Sequence, residues 1–162
     1  MKHKHANKIR CRRAGFSMVE LMVVVGAMGL LIALSVPAIR GWLRSMRLSG
    51  DANSMAMMMR AARSTAINRN ADVVFVFDQT EGEYFYVVDT DGDGAADNNE
   101  VQSGTHTLSD GISIGSFTTP QQWITFTPRG STSDGGTITV QNHSESMRTI
   151  RVYSGTGNVT VE

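Results

Sequence analysis

The sequence predicts an α+β protein in which a long N-terminal helix, half membrane span and half amphipathic, packs on a C-terminal head of antiparallel β-sheet. Three observations carry this. From Phe16 to Ala38 the only charged residue is Glu20. Beyond it, apolar residues recur at helical spacing to about Asn70, and from there the period switches to two with glycines as punctuation. The 162 residues leave room for one domain of ordinary size besides the membrane segment.

The first element is a basic leader, residues 1–15, holding Lys2, Lys4, Lys8, Arg10, Arg12 and Arg13. The predicted span, 16–38, has about twenty nearly uncharged residues, which at about 1.5 Å of rise each cover a bilayer's hydrocarbon core of about 30 Å. Six leader cations outweigh Arg40, Arg44 and Arg47 on the far side. The positive-inside rule therefore keeps the N-terminus cytoplasmic and sends the head across the inner membrane. No A-x-A-like cleavage site follows the run; a small residue, Gly15, precedes it, so cleavage there retains the helix. The lone cysteine, Cys11, lies in the leader and leaves the remainder without a disulfide.

Net charge is formally zero, but all fifteen Asp and Glu follow Gly15, against nine of the fifteen Lys and Arg, leaving −6 without the leader. Such a domain is a poor polyanion binder. Glu20 is costly within an apolar segment and so is expected to have a partner or a function.

Gly15-Phe16-Ser17-Met18-Val19-Glu20-Leu21 resembles the class III signal of type IV prepilins and type II secretion pseudopilins. The resemblance implies that a prepilin peptidase cuts between Gly15 and Phe16 and methylates the new N-terminus. It also implies that Glu20, at the fifth mature position, meets the α-amino group of Phe16 on a neighbouring subunit during filament assembly. Pro37, at the twenty-second, also follows the family.

The amphipathic continuation, 39–70, sets Ile39, Leu43, Met46, Met55, Met58, Met59, Ala62 and Ala66 on one face. Pro37 is expected to loosen the helix without ending it, and Asp51 to cap a restarted turn after Gly50. The methionines are expected to pack against a sheet. The β-rich head, 71–162, has strand candidates at 73–77, 84–88, 112–117, 123–127, 137–141, 149–153 and 158–161. The stretches Ala62–Asn70 with Val73–Val76, Ile124–Gly130, Thr137–Val140 and Arg148–Val152 resemble the GspH/FimT family of minor pseudopilins and minor pilins. That family implies a type IV pilin-like fold and a structural subunit at a filament tip, joined to other pilins or pseudopilins, which initiates assembly. It is not an enzyme family.

Residues 89–100, Asp-Thr-Asp-Gly-Asp-Gly-Ala-Ala-Asp-Asn-Asn-Glu, match the calcium-loop pattern D-x-[DN]-x-[DN]-G-x5-E. Asp89, Asp91 and Asp93 offer carboxylates, Ala95 its carbonyl, Asp97 a direct or water-bridged oxygen and Glu100 a bidentate carboxylate, with Gly94 permitting the turn. A strand precedes the loop and no helix follows it, so the expectation is one structural Ca2+ in an isolated loop. Two other readings are weaker. DNA uptake would rest on Arg129, Arg148 and Arg151 in an acidic domain, and a calcium-dependent adhesin would rest on the loop alone. His106 and His143 lack zinc-ligand spacing, and no nucleophile elbow or phosphate-binding glycine loop is present.

Overall fold

The computed structural model describes residues 16–92, 94, 96, 100–132 and 135–162. Helix α1 runs Met18–Arg69, and nine strands follow it. They are β1 (Val73–Asp78), β2 (Glu83–Val88), β3 (Val101–Gln102), β4 (His106–Thr107), β5 (Ile112–Phe117), β6 (Trp123–Phe126), β7 (Gly136–Asn142), β8 (Met147–Val152) and β9 (Val159–Val161). The chain divides into two compact units, Met1–Arg40 and Gly41–Glu162.

In the first unit the helix passes through Pro37 without ending, as the sequence predicts. Met18–Ser35 is long and apolar enough to cross a membrane, and every side chain from Phe16 to Ser35 is exposed.

In the second unit α1 buries Leu48, Ala52, Met55, Ala56, Met59, Ala62 and Ala66. Their spacing of one, three and four keeps them on one stripe, and the alanines let the helix backbone approach the sheets closely. This corrects the predicted face. Met55, Met59, Ala62 and Ala66 belong to it and Met58 packs at its margin, but Leu43 and Met46 are exposed, as is Ile39 in the first unit. Leu48, Ala52 and Ala56 take their place. An extrapolation of the pattern from the apolar run drifts off the buried stripe, because the membrane half is apolar all round and marks no face.

The head holds two antiparallel sheets rather than one. The first has the order β3-β2-β1-β6, with β4 also on β2, and the second the order β5-β7-β8-β9. β1 is central and pairs Val74 with both Val87 and Thr125. Phe75, Phe77, Ile124 and Phe126 from the first sheet and Ile138, Val140, Ile150, Val152 and Val159 from the second join the helix stripe in one core. Side chains tie the sheets where no ladder does. Phe77 meets Phe117 edge-on at 5.3 Å, and the Gln79 amide donates to the carbonyls of Ile114, at 3.3 Å, and Gly115.

Strands β3 and β4, two residues each, are absent from the sequence-based expectation. They are too short to show a period and exist because β2 offers its edge. The expected restart of the helix at Asp51 is also corrected. The helix is continuous there, and the Asp51 carboxylate instead accepts hydrogen bonds from Ser109 N and Ser109 Oγ, both at 3.0 Å. The helix ends with Asn70 at φ 52° and Ala71 N donating to Ala66 O at 3.3 Å, a left-handed C-terminal cap.

Candidate functional site

The predicted processing and assembly residues sit at the start of α1. Gly15 lies outside the described residues. Phe16 and Ser17 precede the first helical turn, Ser17 O accepts from Leu21 N at 3.1 Å, and Glu20 falls within that turn. An acid there complements the positive end of the helix dipole. Phe16 and Glu20 are both exposed, on a segment whose other side chains as far as Ser35 are exposed as well. Glu20 has no ion-pair partner among the described residues. A carboxylate on an apolar, unpacked helix carries its charge to whatever covers that helix.

The acidic loop follows β2 directly. Asp89 is 3% exposed, its N–H donates to Asp72 O at 2.9 Å, and its two carboxylate oxygens accept from Gly92 N at 2.6 Å and Gly94 N at 2.8 Å. Gly92 and Gly94 have φ of 81° and 77°, which turns the chain back over Asp89. Glu100 Oε1 accepts from Thr90 N at 2.7 Å and closes the other end.

The structure brings Asp89, Asp91 and Glu100 together, with one carboxylate oxygen of each lying within 4.8 Å of the others. Oxygens sharing one Ca2+ at about 2.3–2.6 Å stand at most about 5 Å apart, so this spacing fits the ion. Asp93, Ala95 and Asp97, the other predicted ligands, lie outside the described residues. The three gathered acids come from both ends of the loop, as the pattern requires of its first, third and twelfth positions.

The basic residues divide by role. Arg63 is half-buried and donates from Nε to Gly130 O at 2.7 Å and from Nη2 to Thr156 O at 3.1 Å. Arg60 donates from Nη2 to Val159 O at 2.8 Å and from Nε at 3.3 Å. Both therefore fasten α1 to loop and edge-strand carbonyls. In the sequence the two are only cations three residues apart on a helix, and the carbonyls they serve come from segments 67 and 99 residues away.

Of the residues that would serve DNA, Arg151 pairs with Glu162 at 3.2 Å. Strand alternation puts Arg148 on the opposite face of β8 from Arg151. Arg129 lies in the β6–β7 connection beside Asp72. The three do not form one basic surface. His106 stacks on Tyr84 with ring centroids 5.7 Å apart, and His143 Nδ1 lies 3.2 Å from Gly111 O. Burial, and secondarily the Asp51 carboxylate, push the Tyr84 hydroxyl above its usual pKa of 10.0.

Known proteins share this architecture. The minor pseudopilin EpsH from the type 2 secretion system of Vibrio cholerae superposes with a TM-score of 0.57 at 14% identity, covering 72% of this chain and 96% of that one. The type IV minor pilin FimU of Pseudomonas aeruginosa gives 0.58 at 17%, covering 75% and 92%. In sequence, the pilin-like protein PilA1 of Thermus thermophilus is 34% identical over 95 residues, 58% of this chain and 60% of that relative's length. The two structures share the fold, a long helix on antiparallel sheets, which the sequence predicted. Residues 51–156, more than half of the chain, match the family model described as type II transport protein GspH, and the chain belongs to that family.

Proposed function

We propose that this protein is a minor subunit of a pilus-type filament, either the pseudopilus of type II secretion or a type IV pilus. Its apolar helix holds it in the inner membrane, N-terminus cytoplasmic, and afterwards packs among the helices of other pilins or pseudopilins. The observation that carries this reading is a GspH-family head joined to a fully exposed apolar helix whose only acid is Glu20. Before assembly a prepilin peptidase removes residues 1–15 and methylates Phe16. The role is structural, with the subunit at the filament tip, where it initiates assembly; the fold and family are those of pilin and pseudopilin subunits, not of enzymes.

The test is co-expression of the full chain with an active prepilin peptidase, followed by intact-mass measurement. Loss of Met1–Gly15 together with one added methyl group is expected. An uncut membrane form in the presence of the active peptidase would defeat the reading.

A second proposal concerns the loop: Asp89, Asp91 and Glu100, with Asp93, Asp97 and the Ala95 carbonyl, hold one structural Ca2+. The support is the convergence of the three acids around a buried Asp89. The ion would neutralise mutual repulsion and fix the loop against β2. DNA binding draws little support from dispersed arginines on a net acidic domain.

A further inference from the structure

A cleft opens within the second unit, with no residue of the acidic loop in its lining. Arg44 and Arg47, three residues apart on α1 and so on one helix face, form one wall of a cleft of about 460 Å³. Asp110, Gly111 and Ile112 at the start of β5 and Asn142, His143 and Ser144 at the β7–β8 turn form the other.

The cleft is rich in hydrogen-bond donors. Arg44 has one long bond, from Nη1 to Ser144 Oγ at 3.4 Å. Arg47 has no ion pair among the described residues. Asn142 is 8% exposed, and its Oδ1 accepts from Ser144 N at 2.9 Å and Ser146 N at 3.0 Å. Those two bonds identify the oxygen, so the Nδ2 donors, which have no acceptor among the described residues, lie on the amide's other side. His143 Nδ1 donates to the Gly111 carbonyl at 3.2 Å, which holds the ring at the rim of the cleft. Among the described lining residues the one acid is Asp110, which has no ion pair with either arginine. Two guanidinium groups and one carboxylate leave a net +1.

We infer that this cleft binds the headgroup of an anionic phosphoglyceride, with the phosphodiester oxygens on Arg44, Arg47 and Asn142 Nδ2. Guanidinium forks suit the several acceptor oxygens of a phosphate. Asp110 would accept from a headgroup hydroxyl, a donor that choline lacks. A cleft of this size is far larger than inorganic phosphate alone fills, and a headgroup charge of −1 neutralises it. The chain itself points to lipid over an acidic protein: Arg44 follows the last residue of the apolar segment Met18–Ser35 by nine positions. The inference rests on the membrane-anchor reading above.

The test uses the full chain in nanodiscs of phosphatidylcholine containing or lacking phosphatidylglycerol, with retained lipids counted by native mass spectrometry. Wild type is expected to retain phosphatidylglycerol in preference to phosphatidylcholine. The double variant Arg44→Gln, Arg47→Gln should lose about tenfold or more of that retention, since each cation near an anionic lipid surface matters comparably. Arg151→Gln, which removes a cation outside the cleft, should retain lipid as wild type does, and the arginine double variant should melt with the wild type, so that neither lost charge alone nor a fold defect imitates the pattern. Equal retention by wild type and the arginine variant overturns the site. So does full displacement by inorganic phosphate, which marks a small-anion site. An arginine variant that keeps the lipid but no longer captures a partner pilin also overturns it and marks an acidic protein surface. A chain that enters neither disc defeats the anchor reading instead, and the lipid site with it.

Discussion

Arg63 Nε donates to the carbonyl oxygen of Gly130 at 2.7 Å, joining the C-terminal part of the long helix to the turn after β6. Gly130 has a φ of +74°, and a Cβ there would stand 2.8 Å from Ile67 Cδ1 and 3.3 Å from the same Arg63 Nε. Arg63 also holds Thr156 O, and a Cβ on Gly157 would collide with Gly130 O. One guanidinium thus gathers two loops that are close only because their glycines carry no side chain.

Arg63→Ala is expected to destabilise the head by about 1–3 kcal/mol, the usual cost of losing charged hydrogen bonds, most of it from the buried Gly130 rather than the exposed Thr156. Urea unfolding of the wild type and variant measures it. Arg63→Lys, which keeps charge without the fork, should recover only part. A wild-type midpoint for Arg63→Ala would show that the two carbonyls are satisfied by water.

Asp51→Ala removes the acceptor for both Ser109 N and Ser109 Oγ. It should cost about 1–3 kcal/mol, because the backbone N–H loses its charged partner. Asp51→Asn, with one acceptor oxygen left, should lie between. If both variants melt with the wild type, the contact between α1 and the segment before β5 contributes nothing to stability.

Tyr84 makes the head sensitive to alkali. Its hydroxyl is held above its ordinary pKa of 10.0 by burial and by Asp51. A raised folded-state pKa for an acid means the folded protein resists deprotonation. The stabilising contribution is complete below pH 10.0 and declines as pH rises through the folded value. Thermal melts between pH 9 and 11 should show Tyr84→Phe losing less stability over that window than wild type.

Calcium is expected to raise the melting temperature of the head relative to EDTA. An ion at a hundredfold its Kd adds about 2.7 kcal/mol. Glu100→Gln and Asp91→Asn should abolish the shift while leaving the EDTA melt nearly unchanged. Asp89→Asn should lower both, since Asp89 also orders Gly92 and Gly94 through its oxygens. Identical melts of wild type in EDTA and in excess calcium would exclude a structural ion.

Glu20→Ala should leave membrane insertion and processing intact but reduce recovery in sheared filaments by about a hundredfold or more, because a carboxylate paired within apolar surroundings is worth several kcal/mol. Quantitative immunoblotting of filament and membrane fractions reads the ratio. Equal incorporation of the variant would remove Glu20 from the assembly interface.

Much of the fold is legible along the chain. The switch from helical spacing to alternation at Val73–Phe77, and the glycines that separate the later strands, mark seven of the strands close to their limits, because period and turn chemistry are local. The acidic loop is legible for the same reason: its first, third and twelfth acids meet because a twelve-residue spacing with glycine at the sixth position closes on itself. The short strands β3 and β4 are not legible, since two residues have no period and pair only because β2 leaves an edge beside them.

By itself the sequence determined a run of basic residues before Gly15, an apolar helix bearing Glu20, an α+β fold and a metal-loop pattern, all properties of neighbouring residues. Only the tertiary structure decided that Leu48, Ala52 and Ala56 replace Leu43 and Met46 on the buried stripe, that the head divides into two sheets, and that Asp51, Arg60 and Arg63 serve Ser109, Val159 and Gly130. Those partners lie 58 to 99 residues away. A helix face is chosen by what it is pressed against, and a buried polar group by which distant donor or acceptor the packed core brings within reach.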